Sequence, residues 1–448
     1  MAQSASTTPN RWLICLAGTI VMICLGTVYS WSIFTRPLIA SYHWTNTETT
    51  WSFALAIFMI GIGAVVGGRW QDRVGPRTVT TVGVVLWGLG NLLAGLGIGT
   101  LHAPWLYLTY GLLGGFGNGM AYITPVATVT KWFPDKRGLG SGIVVMGFGL
   151  GAFVYNQIVS RVGAFATAAK HATAYATALA AQKAGTPFDA SALQVPPADS
   201  AAIAAVFVVS GIVFIVVGGL CAALLSNPPA GYSVAGAVAA ASAAGRSYTP
   251  GEVLRTPQFY LLWLMLVLNV TAGILVVSNA VPIFSDLTGA TAAVAGQTYG
   301  LLAIFNGLGR FFWGAVSDRI GRNLAYVLIF GLQVVVFFIM GGLHDVGTVS
   351  AAFALVLLCY GGGFGTMPSF NADFFGTKYL GVNYGMIITA WGFGGLVGPL
   401  IASTVKDRTG SFTAALPYVA GMLIVAAVLP FLTKKPSGQN PQTIPATT

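Results

Sequence analysis

Apolar runs long enough to cross a bilayer recur along this chain, separated by short polar breaks. They fall at about 12–38, 49–68, 78–99, 105–130, 139–162 and 200–226, and again at about 257–284, 291–316, 323–342, 349–372, 381–404 and 412–432. A spanning helix needs roughly 20 apolar residues, because each residue rises about 1.5 Å through a hydrocarbon core about 30 Å thick. One such run could be a buried helix of a soluble protein, but twelve in series could not. The pattern predicts an all-α polytopic membrane protein with twelve transmembrane helices.

The polar breaks repeat. GGRWQDRVGPR (67–77) follows the second run, and WGAVSDRIGRN (313–323) follows the eighth. KWFPDKRGLGSG (131–142) follows the fourth run, and DFFGTKYLGVNYG (373–385) follows the tenth. The chain thus divides into two six-helix bundles related by pseudo-symmetry, 1–226 and 257–432. Residues 227–256 form a cytoplasmic linker with an Ala/Gly/Ser-rich, flexible middle, and 433–448 form a cytoplasmic tail. Residues 164–199 read as an outer-side loop insertion with at most a short helix. Paired halves with equivalent loop motifs suit alternating access, which a channel or a membrane enzyme does not require.

Charge sets the orientation. Fourteen of the 21 Lys and Arg residues fall at one end of the spans and six at the other, Arg310 being the remaining one. The positive-inside rule then puts both termini in the cytoplasm, and the expected location is a bacterial inner (plasma) membrane. Only 7% of residues are charged, against about 25% in a soluble domain. The net charge of +10 is scattered over short loops, with no basic stripe, so nucleic acid is not an expected partner. Cys15, Cys24, Cys221 and Cys359 all lie in apolar segments, which argues against a disulfide framework. No motif calls for a cofactor, a metal or an obligate protein partner. The glycine runs at 111–119, 147–151, 361–365 and 392–398 follow no strand and read as helix-packing surfaces.

Arg310 carries the chemistry. It lies eight residues inside Asp318, roughly 12 Å into its helix, and no acidic residue stands near it on that helix. An intramembrane cation is costly and marks the path of an anion. The alternative is that it snorkels to the membrane edge or binds backbone carbonyls. Tyr299, Ala303, Asn306 and Arg310 share one face at helical spacing. Tyr29, Tyr122, Phe148, Tyr360, Phe364 and Trp391 lie at similar depth on five other spans. Such aromatics, with phenol hydroxyls and weakly positive ring edges, suit a small anion. No Asp, Glu or His appears at that depth. His43, His102, His171 and His344 lie in or beside outer loops, and Asp286 and Asp373 are the nearest acids to the rim.

GGRWQDRVGPR resembles the loop signature of the major facilitator superfamily. NRW with GTVYSWSIF (10–12 and 26–34), KWFPDKRGL (131–139), NPPAGY (227–232), EVLRTPQFYLLW (252–263) and FNGLGRFFWGAVSDRIGR (305–322) resemble its oxalate/formate antiporter family, near the bacterial monocarboxylate porters. The resemblance implies the major facilitator fold, a small carboxylate anion as substrate and a gating role for Asp72, Arg73, Arg77, Asp318, Arg319 and Arg322. It also implies substrate contact for Tyr29, Tyr122 and Tyr360. The chain departs from the oxalate exchangers at Trp391, where they carry a second buried lysine. It departs from eukaryotic monocarboxylate porters at Asn306, where they carry Asp. One cation matches one negative charge. The expectation is therefore a secondary active transporter of monocarboxylates of the lactate, pyruvate and formate class, working by proton coupling or by exchange. The alternative is an oxalate/formate-type antiporter.

Overall fold

The computed structural model describes residues 9–229, 231–234, 246–409 and 411–436. The linker middle expected to be flexible (235–245) and most of the tail (437–448) lie outside the described residues. No strand occurs among the described residues. The first half contains six spans. The first runs through Arg11–Gly26, a tight turn Thr27–Ser30 and Ser32–Tyr42. Then come Asn46–Val74, Pro76–Leu106, Gly115–Trp132 preceded by a wide-turn segment Tyr107–Gly114, and Arg137–Val159. The sixth is Pro197–Val213, continued by Phe214–Gly218 and Gly219–Leu224. The second half repeats the plan. Pro257–Ser278 is followed by Ala280–Thr288, and Ala292–Leu302 by Ile304–Ile320. Arg322–Met340, Val346–Phe375, Leu380–Thr409 and Leu416–Leu432 complete it. The architecture is the expected twelve-helix, two-bundle one.

Nine helices among the described residues are long and apolar enough to cross a membrane by themselves. The fourth and eighth spans, shorter or interrupted, carry Tyr122 and Arg310. The segment expected to be a loop with at most a short helix contains a 22-residue helix, Gly163–Ala184. Its Phe165 ring packs 5.4 Å from that of Phe34 on the first span.

Helix starts and stops follow local chemistry. Asn10 caps the first span by accepting from the Trp12 N–H. Thr45 and Glu48 form a reciprocal capping box at the second. The repeated loop motifs end in the same turn, with Gly75 at φ 89° and Gly321 at φ 86°, conformations that penalise any residue bearing a Cβ.

Both described chain ends reach one face. Arg11 pairs with Asp135 at 2.6 Å, and Asn323 donates to the Thr433 carbonyl at 2.7 Å. The two halves are clamped together there. Asp72 accepts from the Gly381 and Val382 N–H groups at 3.3 and 3.0 Å, capping the eleventh span. Asp318 accepts from the Gly138 and Leu139 N–H groups at 2.8 Å each, capping the fifth. A carboxylate from each half thus sits on the positive end of a helix of the other half. Asp373 bridges Arg137 of the first half (2.7 Å) and Arg322 of the second (2.9 Å). Deeper in, Ser141 and Ser369 hydroxyls meet at 3.0 Å across the interface. Between these points the backbones touch: a Cβ on Gly149 would lie 2.7 Å from Gly307 Cα, and one on Gly385 would lie 2.5 Å from the Ala64 carbonyl oxygen.

This closure yields a prediction. Asp72→Asn keeps the shape but removes the charge from the helix end, an interaction worth about 0.3–2 kcal/mol. In a background lacking the native cysteines, Ser141→Cys should then react severalfold faster with a maleimide. Unchanged reactivity in Asp72→Asn and Asp318→Asn would show that these caps do not hold the face closed.

Candidate functional site

The eighth span is tightened at its working point. Ala303 stands between two helical pieces, and the Asn306 N–H bonds to the Ala303 carbonyl at 3.1 Å, a tightened turn. Ala303 keeps helical angles (φ −56°, ψ −23°), so the chain stays helical through this tightened turn. Asn306 and Arg310 share the second piece. Tyr299 sits on the first, beside Tyr29 and Tyr360.

Arg310 is 0% exposed. Its Nη1 donates to the Val145 carbonyl at 3.4 Å, reaching across to the first half. Its Nε and Nη2 have no hydrogen-bond partner. These two nitrogens form one edge of the guanidinium, the edge that offers a carboxylate two parallel bonds. No ion pair to Arg310 occurs among the described residues. Its guanidinium carbon lies 4.9 Å from the Phe364 ring and 5.4 Å from the Phe148 ring, on whose faces the cation is held.

The expected aromatics converge on this point from both halves. Trp391 is the hub, its ring 5.4 Å from Phe148, 5.7 Å from Tyr29, 5.7 Å from Tyr122 and 5.3 Å from Phe364. Tyr360 packs on Phe364 at 5.6 Å, as their four-residue spacing requires. The Tyr29 and Tyr360 hydroxyls meet at 3.4 Å across the halves. Tyr29 owes its position to the tight turn Thr27–Ser30, where the Thr27 hydroxyl bonds back to the Cys24 carbonyl. Among the described residues, every recorded hydrogen bond and ion pair between the halves lies at the level of Tyr29–Tyr360 or nearer the clamped face. The result is a buried aromatic site around Arg310, the chamber of a transport reading, with the caps toward one face and the Tyr29–Tyr360 pair toward the other.

The loop charges divide. Asp72, Asp318 and Arg322 belong to the clamp described above. Lys131 approaches Asp72 at 3.8 Å and joins them. Arg73, Arg77 and Arg319 stand exposed, with no ion pair among the described residues. Asp373 is engaged by two arginines, and Asp286 is exposed with Ser411 as its donor at 3.4 Å. His171 pairs with Asp199 at 2.8 Å, and His344 faces the Leu287 carbonyl at 3.1 Å, both away from the chamber. Among the described residues no three His, Cys, Asp or Glu side chains cluster as a metal site would require.

One participant escaped the sequence analysis. Tyr384 is fully buried, and its hydroxyl lies close to that of Tyr122 and within the field of Arg310. Its spacing of seven from Trp391, two turns along one helix face, was the available signal. The Tyr122 and Tyr384 hydroxyls face each other, and the Trp391 Nε1 and Asn306 Nδ2 have no hydrogen-bond partner.

Known proteins bear on this architecture. Residues 16–399 match the Major Facilitator Superfamily. The chain is 28% identical to the oxalate:formate antiporter of Oxalobacter formigenes over 435 residues, 96% of this chain and 94% of that one. It is 26% identical to apicoplast pyruvate carrier 1 of Toxoplasma gondii, over 86% of this chain and 82% of the other. The crystal structure of the E. coli fucose:proton symporter FucP shares the fold, with a TM-score of 0.69 over 95% and 98% of the chains at 13% identity. With twelve helices in two halves and a family match over most of its length, the chain belongs to the Major Facilitator Superfamily and is a membrane transporter, not an enzyme.

Proposed function

We propose that this transporter carries small monocarboxylate anions, of the lactate, pyruvate and formate class, by alternating access. The observation that carries the proposal is the empty Nε–Nη2 edge of Arg310 in a chamber where no second charge is recorded among the described residues. A buried cation without a counter-ion is costly, and a carboxylate supplies both the charge and the two acceptors. Asn306, Tyr29, Tyr122 and Tyr360 orient the anion, while Phe148, Phe364, Trp391 and Tyr299 wall it off from water. The relatives named as an oxalate:formate antiporter and a pyruvate carrier support a small carboxylate.

Transport then consists of loading through the Tyr29–Tyr360 side, release of the Asp72 and Asp318 caps, and rocking of 9–226 against 257–432. Both termini lie in the cytoplasm of a cell with an inner membrane, as the excess of basic residues at their face directs. A loaded chamber is neutral and an empty one carries a bare cation, so the charge balance favours exchange. Symport needs a proton site outside the chamber. A second reading, an oxalate-type dianion exchanger, draws on the first of these relatives. Against it stands Trp391, which occupies the chamber's centre with no charge.

Two experiments test this. Arg310→Lys keeps the charge but loses the fork. Uptake of labelled lactate into proteoliposomes should fall by about tenfold to a hundredfold, the range for a charge-assisted bond lost from a buried site. Wild-type uptake by a folded Arg310→Lys or Arg310→Gln protein would remove the anion clamp from the mechanism.

The second concerns selectivity. Trp391→Lys places a second cation in the chamber and should turn oxalate from a poor competitor of lactate uptake into an effective one. If oxalate still fails to compete in a variant that elutes as wild type on gel filtration, charge count does not set selectivity here.

A further inference from the structure

The linker between the halves is docked at both of its ends, and at equivalent places. Its first end meets the close of the fourth span. The Trp132 Nε1 donates to the Ser226 carbonyl at 2.6 Å, and the Tyr232 hydroxyl donates to the Trp132 carbonyl at 3.3 Å. The Trp132 and Tyr232 rings pack at 4.8 Å. Its second end meets the close of the tenth span, the counterpart of the fourth. There the Tyr248 N–H donates to the Phe375 carbonyl at 2.9 Å, and the Asn383 Nδ2 donates to the Tyr248 carbonyl at 3.1 Å. The glycine that turns the chain at this point, Gly376, has φ 79°. A Cβ on it would lie 2.4 Å from the Ser247 Oγ, whereas one on Gly75 or Gly321, in similar turns, would meet no described atom within 4 Å. The linker thus covers this turn and leaves those two open. A reciprocal capping box between Thr249 and Glu252 ends the docked segment.

Each docked turn leads into a helix whose first N–H groups are capped from the opposite half. After Trp132 the chain enters the fifth span, where Gly138 and Leu139 donate to Asp318. After Gly376 it enters the eleventh, where Gly381 and Val382 donate to Asp72. Asn383 is the next residue along and is fully buried, so one side chain ties the linker to the first turn of the capped helix. Residues 233–247 could extend to about 50 Å, more than the thickness of a bilayer. The linker's length therefore does not restrain the halves, and its ends act by contact. We propose that Tyr232 positions the turn that receives the Asp318 cap, that the Tyr248–Asn383 pair positions the turn that receives the Asp72 cap, and that the docked linker thereby favours the state in which this face is closed. This role does not depend on the anion carried; it rests only on the rocking motion proposed above. Cap strength falls off within one turn of helix, so a turn free to shift would lose its cap. A turn already fixed from outside the bundle has less conformational freedom left to lose when the cap forms.

The test uses the full chain in proteoliposomes, without its native cysteines and with Ser141→Cys as reporter. Maleimide labelling of that cysteine reads the opening of the clamped face and needs no substrate. Asn383→Ala and Tyr232→Phe should each speed labelling by about twofold to tenfold, the worth of one hydrogen bond. Each is then combined with Asp72→Ala and with Asp318→Ala, which remove the caps. The Asn383→Ala effect should vanish in Asp72→Ala and persist in Asp318→Ala. The Tyr232→Phe effect should do the reverse. Such crossed coupling marks residues that act through one another, and a bundle merely loosened by mutation would not show it. The same increase in every background overturns the proposal, as does no increase from either change in the reporter protein itself. Labelling that stays at the reporter's own rate even in Asp72→Ala and Asp318→Ala overturns the clamp as well, and leaves the anion site at Arg310 untouched. Tyr248→Pro removes the donor to Phe375 from outside both bundles. It should follow the pattern of Asn383→Ala, and it decides in its place if Asn383→Ala fails to fold.

Discussion

A single uncompensated charge organises this protein. Removing a guanidinium from water without a counter-ion costs several kcal/mol, and Arg310 is fully buried. The fold offsets part of that cost by setting the cation against the Phe148 and Phe364 rings and one carbonyl, Val145. Cation–ring attraction reaches about 2 kcal/mol when desolvated, and one long hydrogen bond adds little. In the transport reading proposed above, a carboxylate ligand supplies the remainder. Two of the three partners, Phe148 and Val145, belong to the opposite half, so the charge is held at the seam where the halves must part.

The seam itself is built from two kinds of contact with different consequences. Glycines 149, 307 and 385 let backbones approach to a distance that any side chain would block, which gives a close but weakly sticking surface. The polar caps at Asp72 and Asp318 are directional and few. They hold the face by pairing a carboxylate with helix N–H groups whose partial charge falls off within one turn. A small displacement therefore releases them, whereas the intra-bundle packing persists. Such an interface suits the rocking motion proposed above.

Irregular helix geometry recurs in three of the spans that contribute to the site. The first span tightens at Thr27–Ser30, the fourth begins with the wide turns of Tyr107–Gly114, and the eighth tightens at Ala303. Deviations of this kind leave carbonyls and side chains off the regular lattice, and in a membrane they are tolerated where the backbone faces a protein cavity rather than lipid. The eighth span, which carries Arg310, is the least continuous of these.

Hydrophobic run length and loop charge were enough to read the twelve spans and the two halves, because the bilayer imposes a length and a polarity that no packing detail can override. The depth of Arg310 was legible on the same ground. The convergence of Tyr29, Phe148, Tyr360, Phe364 and Trp391 could be expected from equal depth, but depth leaves each residue free to face lipid, core or cavity. Rotation about a helix axis is set by neighbouring helices, so only the tertiary structure decided that these rings meet. It alone revealed Tyr384, the tightened turn at Ala303, and which loop charges form the clamp while Arg73, Arg77 and Arg319 face outward. It also turned the outer insertion at 164–199 into a 22-residue helix, since alanine-rich sequence has helical propensity but no strong periodicity until a surface such as Phe34 gives it a side to bury.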